Sequence, residues 1–525
     1  MDKHLRICFT SDTHGYLYPT DYTDNLEKDI GLMKLASAFH PDGNTLLLDG
    51  GDTLQGSPMT NYYQRLSPEK KAAVMPDASL GIHPFAAMMN ACGYQYVTLG
   101  NHDFNYGVEG LRDYLKDLRA TCLCCNIRDR AHRLPIHPWT VHTLENGLRV
   151  GLVGACTDFV RFWENPATVA ELEITDPVAA CARALEEVRP LCDVTVLLYH
   201  GGFERDLATG RRLTESKENQ ACRICGELDF DLVLTGHQHV SVPPQRVGNS
   251  WACQPPFRAA AFCELEVTRS DDGALSVTGK NRKGEAAPLR EPVRLLAELE
   301  RQVQRWLDTP VGHLDAPLDV REHIPMALEG CPLANFINTV LLELTGAQVS
   351  GIAMANEVKG LPREVTIRNV VAAYIYSNTL LVLDMTVEDL KRYMEQCAAY
   401  FALEEDGSVR VSDAFMQPKV AHYNYDYFAG VDYVYDIRRP VGSRLASLKL
   451  AGRELADDSE HVSVCVTSYR YNGTGGFDML PTQPVLKDVQ VDVADAIIDY
   501  LLRHPEVRVD RHAWGRVVTG QKEGF

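Results

Sequence analysis

Residues 97–107 read VTLGNHDFNYG. An apolar run, Val97 to Leu99, stops at a glycine and then sets Asn101, His102 and Asp103 side by side. On its own the fragment is a plausible turn, since Gly and Asn suit one. Its meaning depends on whether other strands stop in the same way. Four do. LRICFTSD leads through SDTHG to Asp12 and His14, NTLLLDGGD gives Asp52, DVTVLLYHGG gives His200, and FDLVLTGHQH gives His237 and His239. Layered α/β sheets bind ligands at their strand ends, so the five loops are expected to meet at one edge. Burying carboxylates and several imidazoles together is costly unless something pairs with them, and a divalent cation is the natural partner. Seven N/O donors exceed the need of one tetrahedral ion, and a donor set without thiolate suits Mn, Zn, Fe, Co or Mg rather than a structural zinc site. Two ions bridged by a carboxylate are expected, with Asp52 as the bridge.

Around this cluster the chain alternates between short β-rich runs and helical stretches such as DPVAACARALEEVRP, from residue 5 to about 270. That pattern predicts an α/β layered domain over residues 1–275. A polar stretch, SDDGALSVTGKNRKGEAAP, and an amphipathic segment, EPVRLLAELERQVQRWLD, read as a linker with a connecting helix over 276–312. Residues 313–525 mix helices (CPLANFINTVLLEL, TVEDLKRYMEQCAAYF, VADAIIDYLLRH) with strands (TLLVLDM, VDYVYDI, VSVCVTS), a second, α+β domain. A chain of 525 residues is too long for a single core, so two domains are expected on length alone.

With 45% hydrophobic and 23% charged residues the composition is that of a globular protein. A net charge of −19 argues against binding a nucleic-acid polymer. It leaves an anionic small molecule open, because bound cations reverse the field locally. No apolar run approaches the roughly 20 residues of a membrane helix. MDKHLRICFTSDTHG has no apolar region of signal-peptide length, which predicts a cytoplasmic protein. The 15 cysteines are scattered in apolar surroundings and read as reduced core thiols. CLCCN reads as a buried strand, and CRIC has no second Cys/His pair at zinc-finger distance.

The order D-x-H, G-D, G-N-H-D, H, G-H-x-H resembles the calcineurin-like metallophosphoesterases, and the whole chain resembles their 5′-nucleotidase/2′,3′-cyclic-nucleotide 2′-phosphodiesterase branch. The resemblance implies a four-layer α/β/β/α sandwich followed by a substrate domain of the 5′-nucleotidase type. It implies that Asp12, His14, Asp52 and His239 hold one metal, and Asp52, Asn101, His200 and His237 the other. A metal-bound hydroxide would then attack phosphorus in line. His102 would assist the leaving alkoxide as general acid or charge stabiliser, with Asn101 beside it in the catalytic centre. Asp103 is implied to face structure rather than substrate. Where many 5′-nucleotidases have an Asp paired with the catalytic histidine, this chain has Asn105, and NHDFNYG is similar to the cyclic-nucleotide members.

In the second domain HYNYDYFAGVDYVYDI (422–437) and TSYRYNGTGGF (467–477) are rich in aromatics. Alternating tyrosines are what a half-buried strand uses. The resemblance instead implies a nucleobase held between two rings, Tyr423 or Phe428 and Tyr471, with Asn472, Gly475 and Gly476 at a turn that lets backbone approach the ligand. MANEVKGLP departs from an arginine-bearing loop of many relatives, and Lys359 cannot give bidentate phosphate contacts. The expected activity is 2′,3′-cyclic-nucleotide 2′-phosphodiesterase with 3′-nucleotidase. A 5′-nucleotidase or UDP-sugar hydrolase, and a catalytically silent nucleotide sensor, are the alternatives.

Overall fold

The computed structural model describes residues 2–74, 83–164, 166–213, 217–285, 287–288, 290–376, 378–417, 420–473, 475–489 and 491–520. The chain divides into two compact units, Met1–Arg305 and Trp306–Phe525.

The first unit is built on two sheets. One has seven strands in the order Leu275–Arg282, Phe262–Arg269, Lys3–Thr10, Thr45–Asp49, Tyr96–Val97, Thr121–Leu123 and Ile136–His137. The other has six: Val242–Val247, Ser250–Gln254, Leu232–Thr235, Val194–His200, Arg149–Cys156 and Trp139–Thr143. The period-two alternation of a strand sends successive side chains to opposite faces. In Val194–His200 it sends Val194, Val196 and Leu198 into a core shared with Leu5, Ile7, Phe9, Leu46 and Leu48 of the first sheet. Leu197 and Tyr199 point the other way, onto Val178, Cys181 and Leu185 of the helix Pro177–Val188 and onto Ile224 and Cys225. Two sheets thus pack face to face with helices outside. Strands buried on both faces carry near-continuous apolar runs, which is why LLYH and LVLT stand out in the sequence.

The strands that matter for the site run parallel. Lys3–Thr10 pairs parallel with Thr45–Asp49, and Val194–His200 with both Arg149–Cys156 and Leu232–Thr235. Their carboxyl ends therefore lie along one edge. The helix Pro177–Val188 starts at Asp176, whose side chain accepts from Ala179 N, with proline at its first turn.

Two segments differ from the sequence reading. Residues 276–282, the start of the expected linker, belong to the strand Leu275–Arg282, antiparallel to Phe262–Arg269 at the sheet's edge. An edge strand exposes one side to water, so its polar composition hid it. The connecting helix is two helices, Arg290–Leu295 and Ala297–Leu307, broken at Leu296. CLCCN holds the strand end Leu123, and CRIC lies in the helix Ala221–Glu227. All 15 cysteines are free thiols, mostly buried. Among the described residues no helix is long and apolar enough to cross a membrane.

The second unit centres on a five-stranded sheet in the order Asp426–Ala429, Val349–Ala353, His461–Thr467, Leu380–Thr386 and Val485–Val489. The helices Pro332–Thr345, Val387–Ala398 and Val493–Arg503 fall where the 3.6-residue periodicity places them.

Candidate metal centre

Each of the five strand ends delivers its side chain into one polar cluster. Asp12, Asp52 and His200 are essentially inaccessible, His14 and Asn101 are buried, and His237 and His239 are partly open. Two sets of three residues have donor atoms within 4.8 Å of one another, Asp12 with His14 and His239, and Asp52 with His200 and His237. These sets match the two expected metal positions, with Asn101 joining the second through a 2.9 Å approach to His237 Nδ1. Asp52 Oδ2 lies 3.1 Å from His200 Nε2 and 3.8 Å from His14 Nε2, so it faces both sets.

The backbone is strained to make this arrangement. Asp12, His14, Asp52, His237 and His239 all have positive φ, between 49° and 77°. Each non-glycine residue in that region costs about 1–2 kcal/mol. Such strain persists where surrounding contacts over-determine it. Here Asp12 N donates to Gly51 O (2.9 Å), His14 N to Asp52 O (2.8 Å), His237 N to the Asp12 carboxylate (3.0 Å) and His102 N to Asp52 Oδ1 (2.7 Å). Asp103 accepts backbone N–H bonds from Gly100, Asp52, Thr53 and Leu54 at 2.8–3.0 Å, so it shapes the Asp52 loop and does not face substrate. Burial still pushes its carboxyl up to about 6. The loops touch so closely that a Cβ on Gly51 would sit 2.3 Å from Gly100 N, which is why G-D and G-N-H begin with glycine.

Neighbouring carbonyls fix the imidazole tautomers. His14 Nδ1 donates to Gln55 O (2.6 Å) and His200 Nδ1 to Gly50 O (2.7 Å), which leaves both Nε2 atoms facing the cluster. His237 Nε2 donates to Glu218 Oε1 (2.7 Å), leaving Nδ1 inward. Three contacts then crowd these donor atoms together. They are His14 Nε2 to His239 Nε2 at 2.9 Å, His237 Nδ1 to Asn101 Oδ1 at 2.9 Å, and His200 Nε2 to Asp52 Oδ2 at 3.1 Å. The last two atoms are buried and not aligned for a hydrogen bond. Buried N and O donors set this close, with no thiolate among them, are what divalent cations take, so the donor set fits the ions it was expected to hold. Burial alone would raise the Asp12 and Asp52 carboxyls, but the adjacent histidines hold both below the usual range, and the two carboxylates in turn outweigh burial at His200 and raise it to about 10, an ion pair that a divalent cation would replace. Burial, reinforced by His239, drives His14 down to about 3 and keeps it a neutral ligand.

His102 is half-buried at the rim, its ring 5.4 Å from that of His14. Its Nδ1 lies 2.8 Å from Asn105 Oδ1. The sequence reading missed the residues that buttress the centre. Trp163 stacks on His237 (5.4 Å, 17°) and Phe257 on His239 (4.8 Å, 4°). Glu218 orients His237, and Glu164 bonds to Asn105. None of these sits in a spaced motif. The sequence signal for them is the strand LRVGLVGAC, which ends upstream of Trp163 and Glu164.

In the second unit the aromatic segments are tied together by a buried pair. Arg470 Nε donates to Asp426 Oδ2 (2.7 Å) and its Nη2 to Tyr423 O (2.9 Å), while Tyr393 OH also donates to Asp426 (2.6 Å). Tyr423 and Tyr471 are half-buried. Tyr423 meets Tyr469 at 6.2 Å and Tyr376 at 6.3 Å, both edge-on. Among the described residues no ring pair joins Tyr423 to Tyr471. Phe428 corrects the expectation. It is 1% exposed, on the strand Asp426–Ala429, packed at 5.0 Å on Tyr393 and 5.9 Å on Tyr433, and no base reaches it. Asn472 caps the short helix Ser468–Tyr471. Gly475 and Gly476 have φ of 84° and 85°, and a Cβ on Gly475 would lie 2.5 Å from Asn424 Oδ1, so this turn admits only glycine there.

Comparison with known proteins bears on both units. The calcineurin-like phosphoesterase family matches residues 5–241, and the 5′-nucleotidase C-terminal domain family matches residues 310–482. The trifunctional nucleotide phosphoesterase protein YfkN of Bacillus subtilis is 23% identical over 96% of this chain, which spans only 38% of that protein's length. The 2′,3′-cyclic-nucleotide 2′-phosphodiesterase/3′-nucleotidase of Haemophilus influenzae is 22% identical over 92% of this chain and 83% of its own. A Staphylococcus aureus protein named provisionally as a 5′-nucleotidase superposes with a TM-score of 0.86 at 29% identity, over 98% of this chain and all of its own.

Proposed function

Since the chain belongs to the calcineurin-like phosphoesterases that carry a 5′-nucleotidase C-terminal domain, and is thus a hydrolase of phosphoester bonds, we propose that its substrates are nucleotides. Within that class we propose opening of 2′,3′-cyclic nucleotides at the 2′ bond followed by removal of the 3′-phosphate. The observation that carries the hydrolytic reading is the convergence of seven strand-end donors into two sets, with contacts of 2.9–3.1 Å among them. Asn105 in place of an aspartate and the names of relatives such as the Haemophilus influenzae enzyme support the finer one.

Asp12, His14, Asp52 and His239 would hold one divalent ion, and Asp52, Asn101, His200 and His237 the other. Bound there, the ions supply Lewis acidity toward phosphoryl oxygens and make water acidic enough to be a nucleophile near neutral pH. Gly50 and Gln55 carbonyls and Glu218 keep the histidine donor atoms turned inward. Nδ1 of His102 is engaged by Asn105, so its Nε2 is the atom that passes a proton to the leaving oxygen. Tyr423 and Tyr471 are the candidates for base recognition, since a base stacks on an aromatic face whatever its identity.

A substrate panel tests this: 2′,3′-cyclic AMP, 3′-AMP, 5′-AMP, a UDP-sugar and NAD, each with Mn, Zn and Co. The proposal expects the cyclic and 3′ substrates to have the highest kcat/KM. A preference for 5′-AMP would support the 5′-nucleotidase alternative, which the Staphylococcus aureus likeness favours. Full metal occupancy with no turnover on any phosphoester would leave only nucleotide sensing.

A further inference from the structure

His102 does not end at Asn105. Asn105 Oδ1 faces His102 Nδ1 at 2.8 Å, and on its other side Asn105 Nδ2 donates to Glu164 Oε1. An amide can turn over and exchange its oxygen for its nitrogen, and Asn105 is itself exposed, so nothing in its own packing holds one orientation. Glu164 supplies that constraint, because an ionised carboxylate only accepts. We propose that Glu164 is a positioning residue: by accepting from Asn105 Nδ2 it pins the amide oxygen on His102 and thereby keeps the proton on Nδ1. His102 donates from its doubly protonated form, so the proton that moves in catalysis is then always the one on Nε2. It passes to the leaving oxygen, which keeps the P–O bonding pair, and His102 is left neutral with Nδ1–H in place. With the amide reversed, its N–H₂ would face Nδ1 and favour the tautomer that carries the proton on Nε2 alone.

Two further observations support the assignment. Glu164 is 9% exposed, a location a carboxylate avoids unless it is used. Burial pushes its carboxyl up to about 7, against the pull of His102 and Asn105. The segment that carries it also carries Trp163, stacked on His237, so adjacent residues brace the metal ligands and His102. Both follow the strand Arg149–Cys156, a sixth strand end at the same edge.

The inference rests on His102 being the proton donor proposed above, and the test separates the two. It is run at pH 8, where Glu164 is ionised, on the zinc-loaded full chain with p-nitrophenyl and alkyl phosphodiesters. Glu164→Ala is expected to lower kcat by about 10–100-fold on the alkyl ester, the usual effect of losing an outer partner. The loss is smaller on the p-nitrophenyl ester, whose leaving group needs little protonation. KM should stay within about twofold and zinc content unchanged. Glu164→Gln, whose carbonyl can still accept from Asn105, should recover to within about threefold of wild type. Asn105→Asp sets two carboxylates against each other and should be slow. The double variant Asn105→Asp/Glu164→Gln restores one donor and one acceptor in reversed order, and should exceed Asn105→Asp at least about tenfold. Histidine-selective ¹⁵N spectra should show Nδ1 of His102 protonated in wild type and Glu164→Gln, and exchanging between tautomers in Glu164→Ala. Wild-type kcat in Glu164→Ala, equal losses in the Ala and Gln variants, or multiplicative losses in the double variant would overturn the proposal. If instead His102→Ala turns over like wild type, the role of His102 fails. If His102→Ala is slow and the Glu164 variants are not, only the role of Glu164 fails.

Discussion

The strand-end cluster of the first unit and the aromatic segments of the second are both unusual stretches of sequence, yet only the first could be read residue by residue. In the first, every residue is expensive where it sits. Asp12, Asp52 and His200 are buried, and five of the seven proposed ligands hold positive φ. Nothing in a fold calls for that combination except a ligand. In the second, a tyrosine or phenylalanine serves equally well in a core or against a base. Sequence alone gave no means of separating Phe428, a core residue, from Tyr423 and Tyr471 at half-buried positions. Chemistry that conflicts with stability is legible, and chemistry that coincides with it is not.

The sharpest way to break this contrast is Asp52→Ala. Asp52 faces both donor sets, so metal content and turnover should fall together, by more than the roughly 10–100-fold that an outer partner costs. Retention of both, measured by elemental analysis and phosphodiester hydrolysis, would remove the first unit's special status. His102→Ala should keep its metal and lose about 10²–10⁴ in turnover, the size of a proton-transfer contribution. On the other side of the comparison, Phe428→Ala should cost about 3–5 kcal/mol of stability, as truncation of a buried aromatic does. Its effect on KM should be none beyond that of partial unfolding, and a selective rise in nucleotide KM with unchanged melting would return Phe428 to the site.

His83 sharpens the rule that burial alone is not function. It is 3% exposed, enclosed by Tyr63, Phe85 and Tyr114, and neither ring nitrogen has a hydrogen-bond partner among the described residues. Burial, aided by Lys71, lowers it to about 3. The unfolded chain takes up the proton near pH 6.5 while the folded one stays neutral, so stability is lost as pH falls from 6.5 toward 3. Between pH 6.5 and 5 this amounts to about 2 kcal/mol, at 1.36 kcal/mol per unit. Urea melts of His83→Phe should lack that part of the acid sensitivity and keep full activity. The smallest effect is expected of Tyr471→Ala. It should raise KM for nucleotides about tenfold, within the 1–3 kcal/mol of a single stack, and leave p-nitrophenyl phosphate unchanged. Equal changes on both substrates would remove base stacking from Tyr471.

What the sequence concealed follows the same logic. The parallel strands and their polar ends were visible because apolar runs are interrupted abruptly by Asp, Asn or His. Leu275–Arg282 was hidden because an edge strand looks like a polar loop. Glu164, Glu218, Trp163 and Phe257 were hidden because each reaches the centre from a loop with no spacing to betray it. Asp103, taken to face structure, accepts four backbone N–H bonds, and that task explains why an acid follows His102.

The central claim is that seven strand-end donors hold two divalent ions on which turnover depends. The direct measurement is a titration of the chelator-stripped full chain with Mn or Zn, following bound metal and phosphodiester hydrolysis together. The account predicts two equivalents bound and activity restored as the second site fills. Binding of no ion, or activity that survives complete stripping, would contradict it.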